Sequence, residues 1–206
     1  MSDTFGITDV TTLREHYAQP SERARLKCLH ALDPHMRNFI GLAPFLCLGT
    51  AGPNGADVTP RGDAAGFVHV VDDTTLLIPD WPGNNRLDSL ANIVANPQVA
   101  LLFMIPGVNE TLRVNGSAEI TLDPQLLQRW NVGGKHPRSV LRVTVREAYL
   151  HCAKALIRSQ LWSDEARVPR SSLPPYGQML KDQIAIADSA EEIQASVEKA
   201  YREGLY

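Results

Sequence analysis

Cysteine is scarce here, with three in 206 residues, and Cys28, Cys47 and Cys152 stand too far apart for a disulfide framework or a CxxC metal site. A reduced, cytoplasmic setting is the expectation. The chain also lacks any run near the ~18 apolar residues of a membrane span, and its first residues, MSDTFGITDVTTLREHY, carry neither a basic nor an apolar leader segment. A net charge of −3 gives no general reason to expect nucleic acid or an anionic membrane as partner, so any phosphate recognition must be local. Nucleotide signatures are missing too: there is no GxGxxG and no GxxxxGK[ST], because Gly133-Gly134-Lys135 has neither the upstream glycine nor the following Ser/Thr. No GxSxG supplies a nucleophile elbow. The six histidines never pair at HxH or HxxxH spacing, so no metal site is expected.

What is present is ordinary globular material, 44% hydrophobic and 21% charged, enough for one domain with a buried core. Three regions are expected within a single domain spanning 1–206: a helical extension over about 10–43, a barrel over about 44–150, and helices over about 151–206. In the first, Ser21-Glu22 and Asp33-Pro34 read as helix starts, and Leu26, Leu29 and Leu32 form a candidate buried stripe. From Phe45 the texture becomes strand-like. Runs at 45–50, 67–71, 75–79, 99–105, 111–121 and 140–150 are separated by turns, and Asp72-Asp73-Thr74 is a hairpin signal. About six antiparallel strands with one clear internal helix predict an α+β protein, mainly β, built on a closed or split β-barrel. A doubly wound sheet would need a helix after nearly every strand. Asp123-Pro124 opens a small helix through Trp130, residues 151–161 read as helical or a crossover, and 176–187 and 190–201 read as terminal helices.

The most informative stretch is Thr74 to Ile105. Leu87, Leu90, Ala91 and Val94 recur at helical spacing behind the loop Pro82-Gly83-Asn84-Asn85-Arg86, with Asn84 or Asn85 as the N-cap. Arg86 then falls in the first helical turn, where a cation is unfavourable unless an anion joins it. Two readings stay open: a phosphate anchor, or a surface arginine turned to water and offset by Asp88. A second permissive backbone lies at Pro60-Arg61-Gly62-Asp63, read as a turn in which Gly62 allows positive φ or close approach to a ligand.

In combination, TPRGD at 59–63, LLIPDWPGNNRLDSLANIVANPQVALLF at 76–103, LRVNGSAEI at 112–120 and HCAKALIRSQLW at 151–162 resemble the pyridoxamine 5′-phosphate oxidase-like FMN-binding proteins, within a bacterial subgroup of FMN-dependent flavoproteins. The resemblance implies a split-barrel homodimer with FMN in clefts between protomers. It places Arg61, Gly62, Asp63 and Pro79 along the flavin, Asn84, Asn85 and Arg86 at its phosphate, and Arg113 as a recurrent strand arginine. Lys154, Ser159 and Trp162 lie in a segment that helps close the cleft, from the partner subunit in one version. The implied activity is FMN-dependent oxidoreduction of a small molecule, with NAD(P)H as one source of electrons and no residue nominated as acid or base. Asn85-Arg86-Leu87 stands where the oxidase itself carries a Ser-Arg-Lys type run, and no C-terminal arginine segment is found, so activity on vitamin B6 compounds is not implied. Alternatives of other classes are a non-catalytic flavin- or haem-binding protein, with His69 or His151 as axial ligand, and a deazaflavin F420-dependent reductase.

Overall fold

Side chains that cap helices set the N-terminal architecture. In this computed structural model, which describes residues 6–206, Asp9, Ser21 and Asp33 each accept a hydrogen bond from the backbone N–H three residues on. They open α1 (Val10–His16), α2 (Glu22–Leu26) and α3 (Pro34–Leu42), with Pro34 at the first helical position as expected. Only α3 buries a face, through Met36, Phe39 and Ile40. Of the expected stripe Leu26, Leu29 and Leu32, only Leu32 is buried. The chain leaves helical geometry after Leu26, so the periodicity does not continue, and Leu29 instead bridges to the backbone of Ala148.

Seven antiparallel strands follow: β1 (Phe45–Gly52), β2 (Gly55–Gly62), β3 (His69–Val70), β4 (Thr75–Asp80), β5 (Gln98–Met104), β6 (Thr111–Thr121) and β7 (Ser139–His151), in the order β2-β1-β5-β6-β7-β4-β3. The order is open at β2 and β3, yet Arg61 of β2 forms an ion pair with Asp80 at the end of β4. Those strands lie five places apart in the sheet, so the sheet rolls until its two sides meet at this seam. The result is a split barrel, mainly β with flanking helices. Alternate residues point inward, as a period of two requires: Leu46 and Leu48, Val99, Leu101 and Phe103, Leu112 and Val114, and Leu76 and Ile78 fill the interior with α3 packed against them. A second cluster, Leu77, Trp130 and Val140, sits against Trp81 and the short α5 (Pro124–Leu127). That helix stops before Trp130, short of the expected length, and Trp130 is held by its indole N–H donating to the Phe67 carbonyl at 2.8 Å.

The register against β7 shifts between Asn115 and Gly116, which face Glu147 and Val145, so Arg146 is the extra residue of a β-bulge in β7. Gly116 permits the close approach there, since a Cβ would stand 2.0 Å from the Thr144 carbonyl oxygen.

The internal helix α4 (Asp88–Ala95) begins later than the sequence suggests. Its cap is Leu87, in the left-handed region at φ 62°, and not Asn84 or Asn85; Asn84 accepts instead from the Arg86 backbone N–H at 3.1 Å. The expected stripe holds only at Leu90, which packs against the core: Leu87 and Val94 are exposed, and Ser89 and Ile93 are the buried residues. Polar partners decide the rotation. Ser89 donates to Asp57 at 2.9 Å and shares a 3.0 Å hydroxyl contact with Thr59, while Asn92 donates to Thr50 at 3.1 Å. These bonds clamp α4 onto the β1–β2 hairpin and fix the loop that precedes it. C-terminal to the barrel lie α6 (Lys154–Ser159), shorter than expected, then α7 (Tyr176–Gln183) and α8 (Ala190–Glu203), which starts with a Ser189/Glu192 capping box.

Candidate functional site

Arg61, Gly62, Asp63 and Pro79 lie at the seam between β2 and β4, and Asn84, Asn85 and Arg86 follow in the loop that leaves β4. Pro60, Arg61 and Gly62 belong to strand β2 itself and form no turn, and Gly62 is not among the glycines of positive φ. Proline is tolerated because β2 is an edge strand, where a missing donor faces outward. Gly62 packs closely against protein, since a Cβ there would meet the Pro44 carbonyl oxygen at 3.3 Å. Arg61 is largely buried, 20% exposed against 13% for Asp80, and its Nε is buried without a hydrogen-bond partner. Pro79 sits in β4 immediately before Asp80.

Asp63 is the hub of this region. Its carboxylate accepts from the Ala64 backbone N–H at 2.7 Å, the Trp81 indole N–H at 3.1 Å and the Tyr206 hydroxyl at 2.7 Å. Trp81 and Tyr206 meet edge to face at 4.9 Å, and Asp63 raises the Tyr206 hydroxyl above its usual pKa by accepting its proton in a hydrogen bond.

Beyond Trp81 the chain turns through Asn84, Asn85 and Arg86. Asn85 adopts φ 59° and faces the guanidinium of Arg138 at 3.5 Å. Arg86 precedes α4 rather than lying in its first turn, is 74% exposed, and pairs with Asp88 at 2.8 Å. An exposed pair of this kind is worth roughly 0–1 kcal/mol, so the guanidinium is cheaply redirected.

The remaining predicted residues lie elsewhere in the molecule. Cys47, Leu102, Arg113 and Tyr149 are successive partners across β1, β5, β6 and β7, and this row lies on the outer face of the sheet. Here a cleft of about 460 Å³ is lined by Cys47, Leu102, Met104, Arg113, His151 and Leu156 among others. Arg113 stands 5.3 Å from the centre of the Tyr149 ring, and the Lys27 ammonium 5.2 Å from the same ring. His151 has a buried, unpartnered Nδ1, and burial first, then the charges of Lys27 and Arg113, lower its pKa. Lys154 is the first residue of the adjacent α6, Ser159 caps its end by donating to the Leu156 carbonyl at 3.1 Å, and the Trp162 indole donates to the Val108 carbonyl at 2.9 Å. His69 is remote from this cleft, stacked on Trp130 at 4.2 Å.

Sequence reasoning passed over Asp80, Trp81, Arg138, Tyr206, Lys27 and Tyr149. Asp80-Trp81 carried a signal, since a charged residue inside an apolar strand needs a partner. For Arg138, Lys27 and Tyr206 there was none, because their neighbours are distant in sequence.

Comparison with known proteins places this geometry in context. No curated protein sequence matches the chain. Solved structures with a similar fold include HupZ of Group A Streptococcus (17% identity, 58% of this chain and 99% of that one, TM-score 0.48). General stress protein 26 of Bacillus anthracis matches at 17% identity over 56% and 93%, with TM-score 0.40. An FMN-binding protein of Syntrophomonas wolfei matches at 13% identity over 56% and 83%, with TM-score 0.44. The family model for pyridoxamine 5′-phosphate oxidase matches residues 32–152, from just ahead of α3 to just past β7, and the chain belongs to that family.

Proposed function

We propose that the protein is an FMN-dependent oxidoreductase acting on a small molecule, with the flavin bound between the protomers of a homodimer. The observation that carries this reading is the loop of Asn84, Asn85 and Arg86, with Arg138 against Asn85, leaving the strand whose end pairs with Arg61 at the seam. The residues there fit an aromatic phosphate ester. Arg86 and Arg138 flank Asn85 with exposed guanidinium groups that suit a phosphate. FMN, when bound, supplies the hydride and electron chemistry, and the protein supplies anchoring and orientation. Asp63 orients the Trp81 indole beside the seam, and Asp80 keeps the Arg61 guanidinium inward.

Dimerisation is supported by the outer sheet face, where exposed Val58 and Ala100 lie beside half-buried Leu102 and Met104. The cleft with α6 lies on that face and the phosphate loop does not. Joining the two groups around one flavin therefore calls for a second protomer, which would contribute Lys154, Ser159 and Trp162 from its own segment.

The test is the absorbance spectrum of the purified protein followed by titration with FMN. A two-banded flavin spectrum with saturable binding is expected, together with bleaching by NADH or NADPH without oxygen. Arg86→Ala weakens FMN by about 10- to 150-fold, the equivalent of a charge-assisted hydrogen bond of about 1.5–3 kcal/mol. A protein that takes up no FMN, or an Arg86→Ala variant that binds it as the parent does, defeats this assignment.

A further inference from the structure

Asp63, at the seam, is engaged by a part of the chain that the phosphate anchor does not use. From Asp164 on, the chain passes through two single 3-10 turns into α7 and α8, which pack chiefly on each other. The Gly177 backbone N–H donates to the Gln194 side chain at 2.8 Å, and a Cβ at Gly177 would stand 2.3 Å from the Ala190 carbonyl oxygen, so the two helices cross closely. Among the described residues, the hydrogen bonds that tie this arm back to the barrel and its loops are both made by Tyr206, just beyond the end of α8 at Glu203. Its hydroxyl donates to Asp63 Oδ1 at 2.7 Å, and its backbone carbonyl accepts from the Lys135 ammonium at 2.6 Å. Its ring stands edge to face with Trp81, whose indole N–H donates to the other Asp63 oxygen at 3.1 Å.

Tyr206 thus brings an aromatic ring to an indole and a polar hydrogen to a carboxylate. A flavin ring is likewise planar and aromatic and carries an N–H at its rim, so it would call on the same two partners. The two halves of the contact differ in how firmly they are held. Lys135 sits in a tight turn with Gly133 and Gly134 at positive φ, closed by the Gly134 N–H donating to Asn131 at 2.8 Å. Tyr206 is half-buried and lies at the end of an arm with no other hydrogen bond to the barrel among the described residues. One charge-assisted hydrogen bond and one aromatic contact at a half-exposed position favour the closed arrangement and still yield to a competing ligand.

We propose that Tyr206 is an intramolecular latch, closed on Asp63 and Trp81 in the free protein and displaced when a planar aromatic ligand takes its place there. The closed latch is a property of this chain alone. That the displacing ligand is the flavin rests on the proposed function. While the latch is shut the seam is not competent to bind, and the apparent affinity falls by the fraction of molecules in which it stands open.

The probe is FMN, and the readout is fluorine NMR of the full chain labelled with 3-fluorotyrosine, in which Tyr206→Phe assigns the Tyr206 signal among those of the five tyrosines. In the free protein a soluble gadolinium chelate is expected to broaden that signal at least twofold less than the signal of Tyr201, which stands exposed on α8. Saturating FMN brings the two to equal breadth. By flavin absorbance, Tyr206→Ala binds FMN at least threefold tighter than the parent, Tyr206→Phe falls between them, and Tyr201→Ala, on the same arm but outside the latch, binds as the parent does. A Tyr206 signal as broad as that of Tyr201 in the free protein overturns the latch, and normal FMN uptake then leaves the flavin reading standing. Protection of Tyr206 that persists with FMN bound, or bound FMN held no more tightly by Tyr206→Ala than by the parent, overturns the displacement. A protected Tyr206 in a protein that takes up no FMN, with or without Tyr206→Ala, supports the closed latch and removes the flavin reading alone.

Discussion

The ion pair between Arg61 and Asp80 links two strands that share no backbone hydrogen bonds, so removing one partner tests how the barrel is held at its seam. Asp80→Ala leaves the Arg61 guanidinium mostly buried with no counter-charge and with its Nε already unpartnered. Breaking a fully buried pair this way costs about 3–5 kcal/mol. The two side chains here keep 20% and 13% of their exposure, which lets water reach part of the charge and reduces the expected loss to about 2–3 kcal/mol. The paired replacement Arg61→Met with Asp80→Leu exchanges both charges for apolar groups of similar length, and should recover most of that loss. Urea unfolding followed by tryptophan fluorescence measures both, because Trp81 sits beside the seam and donates to Asp63 at 3.1 Å. If Asp80→Ala unfolds within about 0.5 kcal/mol of the parent, or the double variant is no more stable than the single one, the seam is held by something other than this pair. FMN affinity of the same variants separates the structural role from the binding role. Asp80→Ala changes Arg61 orientation and is expected to weaken FMN even at urea-free stability sufficient for folding.

Two further perturbations probe other levels of the structure. Gly116→Ala forces a Cβ to 2.0 Å from the Thr144 carbonyl oxygen and 3.3 Å from the Val145 Cα; backbone on both sides of the bulge must shift, and a loss of about 3 kcal/mol or more in chemical unfolding is expected, against little loss for Gly83→Ala, where nothing stands within 4 Å. His69 has its pKa lowered by burial, then by the charge of Arg129, so the unfolded chain takes up its proton first as pH falls. The stability it supports is fully present above the unfolded value of about 6.5 and is lost as pH drops toward the folded one. His69→Phe keeps an aromatic ring on Trp130 and removes the proton, and its unfolding free energy should vary less between about pH 7 and 5 than that of the parent. Equal slopes would show that His69 does not titrate differently in the two states.

Local chemistry made much of the architecture legible from the chain alone. Ser21 and Asp33-Pro34 mark helix starts because a cap depends only on the next three residues, and β6 runs over Thr111–Thr121 as its alternation requires. The motifs around Arg61 and Arg86 pointed to the seam, and the four motifs together pointed to the family. What the chain alone left open depended on partners far away in sequence. The face that α4 buries was decided by Asp57, Thr59 and Thr50 on the β1–β2 hairpin, which outweighed the apolar spacing of Leu87, Leu90, Ala91 and Val94. Pro60-Arg61-Gly62 looked like a turn because proline and glycine punctuate local structure, and only the edge position of β2 makes them compatible with a strand. Asp63 as a hub, Asp80 as the partner of Arg61, and Tyr149 between Lys27 and Arg113 arise from the rolling of the sheet. Helix caps, strand periods and motif residues are set by neighbours along the chain, whereas the Arg61–Asp80 seam and the outer-face cleft exist only once strands distant in sequence lie side by side.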